Sequence, residues 1–432
     1  MRYFCFVKIL FVANRMPYPP YRGDKLKIFN LAKELCVNHE LHLITIAENQ
    51  EDLDSVSVLQ KTFFLDDAAA QTSNSSATTN NDRSTTTNPN EGIQLFDSIQ
   101  YVYRPKWRSI LSSAIGLFSK RPIQVSFFRS KPFANKLEHL LDNHHFDVIH
   151  VQHLRMAQYF EDGAPSNAIL DLPDAFSLYW KRRESAAKNP FDKAFRGLEY
   201  KRLANYEKLM LPKFAQSLVC STEDRDYLIN AGITNVDVLP NGVNLKSFSP
   251  QGSDAIIKNR ILFTGNMDYA PNVDAVQYFV DEIFPLILEK HPESHFVIAG
   301  QRPVKAVLDL ASDRIQVTGF IEDLSLEYAK ANVVVSPLRI GAGTQNKVLE
   351  ALAMNQAVVC SNVGFLGLGL KSGEGILMGE TAHEFANHVV SILTSEELRK
   401  RLGETGGQHV RSTFVWSGIS QQLLSYFENI KS

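Results

Sequence analysis

The chain has 432 residues, of which 44% are apolar and 21% charged. That describes a globular protein too long for one compact core, so two domains are expected. A formal charge of −2 gives no global attraction for nucleic acid, and the lack of any long unbroken apolar run excludes a helical membrane span.

In chain order, MRYFCFVKILFVANRMPYPP is broken by Lys8 and followed by no small-residue cleavage site. It reads as a short leader and then a buried strand, residues 8–13. A turn, MPYPPYRGD, leads into a helix with apolar Leu26, Phe29, Leu31 and Leu35. LHLITIA is the next strand. The stretch AAAQTSNSSATTNNDRSTTTNPNE, about residues 68–91, has almost no large apolar side chains. It cannot offset its own ordering entropy and is expected to be a disordered insertion. Its Asn74-Ser75-Ser76 sequon matters only in a secreted protein.

Arg104 to Lys136 contains eight Lys or Arg and no acid, interleaved with Trp107, Phe118, Phe127, Phe128 and Phe133. Two readings stand side by side. One is a face that docks on anionic lipid; the other is a solvated helix surface over core aromatics.

The later strands read as FDVIHV, AILDL, SLVCS, RILFTG, HFVIAG, IQVTG, NVVVSP and AVVCS. Continuous apolar strands separated by helices mean parallel sheets covered on both faces. The class is α/β, doubly wound, with strands enough for two Rossmann-like sheets facing a central cleft. VDVLPNGVNLKSFSPQGSD, residues 236–254, gathers the turn residues of a boundary. The expected division is 1–240, then 241–415, then a final segment 416–432 whose helix carries apolar Ile419, Leu423, Leu424 and Phe427. Cys5, Cys36, Cys220 and Cys360 are far apart, lack metal-ligand spacing and suit a reducing cytoplasm.

The stretch RIGAGTQNKVLEALAMNQAVV, residues 339–359, carries the chemistry. Gly341 and Gly343 let backbone approach a ligand closely, Thr344 suits an N-cap, and a helix N-terminus favours an anion. Gly343, Lys347 and Glu350 share one helix face, with Val348, Leu349 and Leu352 on the packed side. The helix end supplies about 0.3–1 kcal/mol, against roughly 4 kcal/mol of Coulomb attraction from a cation at ~4 Å in a partly dry cleft. Lys347, with Arg339, would thus dominate a grip on diphosphate. Glu350 would repel phosphate but can accept two hydrogen bonds from ribose hydroxyls. The plain alternative is a capped helix with a Lys–Glu pair three residues apart. Neither the P-loop pattern nor GxGxxG is present.

This stretch resembles the donor-site motif of retaining glycosyltransferases of family 4, which have the two-domain GT-B fold. PPYRGDKLKIFNLAKEL is similar to the acceptor-side glycine loop and first helix, and FDVIHVQH to the strand that ends at the cleft. LPNGVNLKSFSP resembles the interdomain turn, while ILFTGNMDYAPNVDAV, FVIAG and VTGFIEDL resemble the first half of the donor domain. Within the family the chain looks closest to bacterial exopolysaccharide sugar transferases, including those associated with the PEP-CTERM/exosortase system.

The resemblance implies an N-terminal acceptor domain, a C-terminal nucleotide-sugar domain and a last helix that crosses back to the first. It implies a hexosyltransferase-like, metal-independent enzyme with no cofactor. That enzyme would move a sugar with retention from a nucleotide-diphosphate sugar to a lipid-linked or other glycan acceptor in polysaccharide biosynthesis. The expected place is the cytoplasm, peripheral on the inner face of the plasma membrane. Catalytic roles fall to Lys347, Arg339 and His153, the last as an orienting or proton-handling group. Donor contacts fall to Gly265, Asn266, Gly300, Phe320, Ile321, Gly341, Gly343, Thr344, Lys347 and Glu350. Acceptor contacts fall to Arg22, Gly23, Asp24, Asp171 and Asp174, where simple turn and capping roles are the alternative.

Three positions depart from the family pattern. Ala342 replaces the first of two glutamates, Asn266 stands where an arginine is usual, and Pro271-Asn272 lies near the usual lysine. Two other functions therefore compete: a nonhydrolysing nucleotide-sugar epimerase of the same fold, and a catalytically silent nucleotide-binding assembly partner.

Overall fold

The computed structural model describes residues 6–60, 62–63, 93–116, 119–187, 189–251 and 255–431. The insertion expected at about 68–91 lies outside them, as does Phe118.

The strands are β1 (Lys8–Ala13), β2 (Glu40–Ala47), β3 (Ser98–Tyr103), β4 (Val148–Gln152), β5 (Ala168–Asp171), β6 (Gln216–Val219) and β7 (Val236–Val238) in the first sheet. The second sheet holds β8 (Arg260–Thr264), β9 (His295–Ala299), β10 (Ile315–Gly319), β11 (Val333–Ser336), β12 (Val358–Cys360) and β13 (Leu377–Met378). Their spatial orders are β3-β2-β1-β4-β5-β6-β7 and β10-β9-β8-β11-β12-β13. Neighbours within each sheet run parallel, with Ile9 opposite Val148 and Ile261 opposite Val333. The helices used below are α1 (Gly23–Leu35), α2 (Lys106–Gly116), α3 (Ile123–Phe127), α4 (Phe176–Ser185), α5 (Pro190–Met210), α6 (Asn346–Ala353) and α7 (Trp416–Lys431).

The continuous apolar strands arise because each sheet feeds two cores. On β1, Leu10 and Val12 enter one layer while Ile9, Phe11 and Ala13 enter the other. The second sheet repeats this: Ile261 and Phe263 face one helix layer, Leu262 the opposite one. A period of two with both faces buried leaves no room for polar alternation.

Helix α7 follows the second sheet in sequence but packs on the first. Trp416, Ile419, Leu423 and Phe427 share a core cluster with Ile28, Leu31 and Leu35 of α1. Those four side chains are buried, so the helix ties the chain end to the first sheet.

Candidate active site

Each sheet has one point where the strand order reverses, and such points place ligands at the carboxyl ends of strands. In the first sheet it lies between β1 and β4, where the chain exits at Asn14 and His153. In the second it lies between β8 and β11, at Gly265 and the loop 337–345. The two edges meet. Asn266 Nδ2 donates to the Tyr21 carbonyl at 3.4 Å, and the Tyr21 and Phe320 rings lie 6.3 Å apart edge-on.

The loop before α6 is held by the first domain. Arg182 Nη1 donates to the Gly341 carbonyl, the Gly343 N–H donates to Asp224 Oδ2 at 3.0 Å, and Thr344 Oγ1 donates to the Cys220 carbonyl at 2.8 Å. Gly343 has φ 68°, and a Cβ there would sit 2.7 Å from the Pro173 carbonyl. Only glycine fits.

Three expectations are corrected here. Thr344 is not the N-cap: α6 begins at Asn346 after Gln345, which makes no side-chain cap, because the Thr344 hydroxyl is used across the boundary. The Gly343 amide is not bare, since Asp224 takes it. Arg339 does not join Lys347. It is exposed, bonds Asp274 through Nε and Nη2 and lies 4.5 Å from the Tyr278 ring centre.

Lys347 stands at the second switch point. Its Nζ donates to Asn272 Oδ1 at 2.6 Å and lies 4.1 Å from the Phe263 ring centre. A Cβ on Gly265 would come within 3.3 Å of it. Burial pushes the ammonium down to about 7, against the pull of Glu350. One turn on, Glu350 Oε2 accepts from the buried Tyr328 hydroxyl at 2.9 Å, and that hydroxyl lies 2.7 Å from Thr264 Oγ1. Burial raises the Glu350 carboxyl, opposed by the Tyr328 bond and Lys347.

Gly265 and Gly300 complete this edge with φ of 154° and 152°. A Cβ on Gly300 would fall 1.7 Å from the Gly265 carbonyl oxygen, so the two backbones abut as no other residue allows. Asn266 Oδ1 accepts from Gln301 at 2.9 Å. Phe320 is exposed and Ile321 half-buried at the end of β10.

On the facing edge, Asp24 Oδ2 accepts from Arg15 at 2.9 Å, and Arg22 lies 3.9 Å from its other oxygen. Burial disfavours that carboxylate, yet Arg15 and then Arg22, with Arg155, outweigh it and hold Asp24 well below its usual range. His153 has φ 81° and lies on Phe176 with ring centres 4.5 Å apart. Burial and then Arg155 push it well below its usual value, so it is neutral. Its Nδ1 accepts from the Arg155 N–H at 3.3 Å, which leaves the ring proton on Nε2. A Cβ on Gly23 would lie 3.9 Å from the Asn346 side chain, so this loop faces the start of α6.

Asp171 departs from expectation. It is buried, bound to Lys27 Nζ at 2.6 Å and 3.2 Å from His150 Nε2, a cross-link of β5, α1 and β4 closed to any acceptor. Asp174 does lie at the boundary. Burial and then the neighbouring Asp224 push it up to about 8, and its Oδ1 has no hydrogen-bond partner among the described residues.

Sequence reasoning missed Asp224 and Arg182, whose roles depend on the closed boundary. It missed Tyr328, a helix residue whose link to Glu350 spans 22 positions, and Asn14 and Arg155 at the first switch point. Only the last two carried a signal: polar residues just past apolar strands.

Residues 258–395 match the family described as glycosyl transferases group 1. An uncharacterized 44.6 kDa protein in the cps region of Klebsiella pneumoniae is 22% identical over 140 residues, 30% of this chain. The match spans 36% of that relative's length. Sucrose-phosphate synthase from Thermosynechococcus elongatus superposes with a TM-score of 0.67 at 15% identity, over 98% of each chain. HepE of Anabaena, solved with UDP and glucose, gives 0.64 at 12% identity, over 98% of this chain and 99% of that one. The chain thus has the GT-B architecture of two parallel-sheet Rossmann-like domains, and the segment that matches group 1 glycosyl transferases spans its second sheet.

Proposed function

We propose that the protein is a retaining glycosyltransferase. It moves a hexose-like sugar from a nucleotide-diphosphate sugar to a lipid-linked glycan acceptor in polysaccharide biosynthesis, without a metal. The carrying observation is Lys347 Nζ, seated between the Gly265 turn and Asn272, with Glu350 one turn further along the cleft-facing side of α6. In the transfer the sugar–phosphate bond lengthens and negative charge grows on the leaving diphosphate. Fixed positive charge there lowers the barrier. Lys347 supplies it, the glycine edge at 265 and 300 admits the phosphates closely, and Glu350 receives the ribose hydroxyls. His153 offers its Nε2–H to orient substrate from the other side, and the cluster of Arg22, Gly23 and Asp24 faces the acceptor.

The group 1 match covers the segment that would hold the donor. The UDP and glucose in HepE support a uridine donor, and the cps-region relative supports a polysaccharide setting. A nucleotide-sugar panel read by thermal shift and nucleotide release tests the reading, because a bound ligand raises apparent stability. Release that depends on added acceptor supports it. A shift with no release under any acceptor favours a silent binder, and interconversion of free nucleotide sugars favours an epimerase.

A further inference from the structure

Beside the first switch point lies a cavity of about 310 Å³. It is lined by Ser113 of α2, Gln124 and Phe127 of α3, Arg15, Arg155 and Phe128, with Trp180, Phe195 and Glu199 across from them. No donor role reaches it. Four aromatic rings and two arginines line it: the Arg15 and Arg155 guanidinium groups lie 5.3 and 5.0 Å from the centre of the one Phe128 ring, while Glu199 is paired with Arg202.

The two arginines are not equivalent. Arg15 is neutralised by Asp24. Arg155 makes no ion pair among the described residues; Nη2 donates to Gln124 Oε1 at 3.1 Å. Its Nε and the Gln124 Nε2 are shut off from solvent with no hydrogen-bond partner. Burial and then the like charge of Arg15 press the Arg155 guanidinium down to about 9. An enclosed cation beside unused donors is costly until an anion arrives. Such a group in an aromatic cavity marks a built site for an acid joined to an apolar body.

The rim shows how that body leaves. Ile110 lies three residues before Ser113 on α2, and Phe191, Phe195 and Leu198 follow helical spacing on α5; all four apolar residues are exposed. An apolar chain leaving the cavity would cross them.

We propose that this cavity binds the acceptor through a phosphate attached to a hydrocarbon chain, the phosphate on Arg155 and the Gln124 amide, the chain along the aromatic wall and over the α2–α5 rim. This rests on the transferase reading above, whose acceptor it identifies by chemistry.

The probe is farnesyl phosphate, kept monomeric and titrated calorimetrically into the full chain, with inorganic phosphate and farnesol as controls and UDP titrated separately. Farnesyl phosphate should bind, and each half alone should bind about tenfold more weakly or worse. Arg155→Gln should weaken farnesyl phosphate about tenfold or more while UDP affinity holds and the melting temperature does not fall. Lys347→Ala should do the reverse. Equal binding of farnesol and farnesyl phosphate, or an unchanged farnesyl phosphate affinity in Arg155→Gln, overturns the inference and leaves the donor reading untouched. Loss of UDP binding in wild-type protein that still takes farnesyl phosphate overturns the donor reading instead.

Discussion

The Gly343 N–H donates to Oδ2 of Asp224 across the boundary between the domains, at 3.0 Å. The same carboxylate accepts from the Ala175 N–H at 3.0 Å and from the Ser221 hydroxyl. One side chain of the first domain therefore fixes the loop that opens α6, and with it the position of Lys347. Replacing Asp224 by Ala leaves two buried N–H groups unpaired, those of Gly343 and Ala175, each costing about 1–3 kcal/mol. Hydrogen exchange of the 341–345 amides should then rise about tenfold or more. Unchanged protection in Asp224→Ala would show that the loop does not depend on this bond.

Lys347 should couple donor binding to pH. In the free protein, burial holds its pKa near 7, so above that pH the amine is largely neutral. A diphosphate beside it restores the ammonium. Binding should therefore take up a proton, and UDP affinity should fall about tenfold per pH unit between pH 7 and the higher value of the complex. Calorimetry in buffers of differing ionisation heat counts the protons. Lys347→Ala should abolish the uptake and lower turnover by about two to three orders of magnitude, the scale of a lost charge-stabilising donor. Near-normal transfer by that variant would refute the role.

Asp174 gives a separate signature in stability. Its folded pKa, about 8, lies above the usual value of 3.8. Between these limits the folded state holds a proton that the unfolded state has lost. Stability attributable to this group is therefore full at low pH and declines as pH rises through the window. Asp174→Asn removes that slope. Its stability should match wild type near pH 3–4 and exceed it at pH 8–9 by an amount on the order of a few kcal/mol, read as a higher melting temperature. Parallel pH profiles for the two proteins would show that Asp174 titrates normally.

The inner strands were readable from sequence because both their faces are buried, which writes an apolar run such as ILFVA; the edge strand Ser98–Tyr103, half-exposed, carries no such run and was not expected. The α6 helix was readable for the same reason, with Val348, Leu349 and Leu352 buried as its spacing requires. The site was readable only where chemistry follows local spacing, as with Lys347 and Glu350. Thr344 and Arg339 went astray because their partners, Cys220 and Asp274, are 124 and 65 positions away. A competing partner that distant cannot be read from periodicity. Asp171 was similarly claimed by Lys27, whose position on α1 looks in sequence like an ordinary surface lysine.

Gly300 tests the backbone geometry itself. With φ 152° and the Gly265 carbonyl where its Cβ would go, Gly300→Ala must displace one of two strand ends. The backbone strain alone costs about 1–3 kcal/mol, before any steric term. The variant should melt several degrees lower and lose UDP affinity more than farnesyl phosphate affinity, since the Arg155 cavity belongs to the other domain. Loss of both ligands in equal measure would mean that the substitution disrupts the whole chain.

The basic segment 104–136 divides in the structure. Phe128 and Phe133 are core residues and Phe127 packs against the same cluster, so most of its aromatics serve the first domain. What remains outward is one helix: Trp107, Ile110 and Leu111 of α2 are 60%, 63% and 56% exposed, beside Lys106 and Arg108. Among the described residues no helix is long and apolar enough to cross a membrane, so any lipid contact here must be interfacial. Burying such side chains gains about 1.5–3 kcal/mol apiece, and each basic neighbour adds about 1 kcal/mol on an anionic surface. Flotation with phosphatidylglycerol vesicles should recover the protein, whereas pure phosphatidylcholine or about 0.5 M salt should release it. Ile110→Glu with Leu111→Glu should abolish flotation without lowering the melting temperature, because neither side chain packs inward. Flotation that survives both the double substitution and neutral lipid would assign α2 to the solvent and leave its apolar face with only the cavity rim to serve.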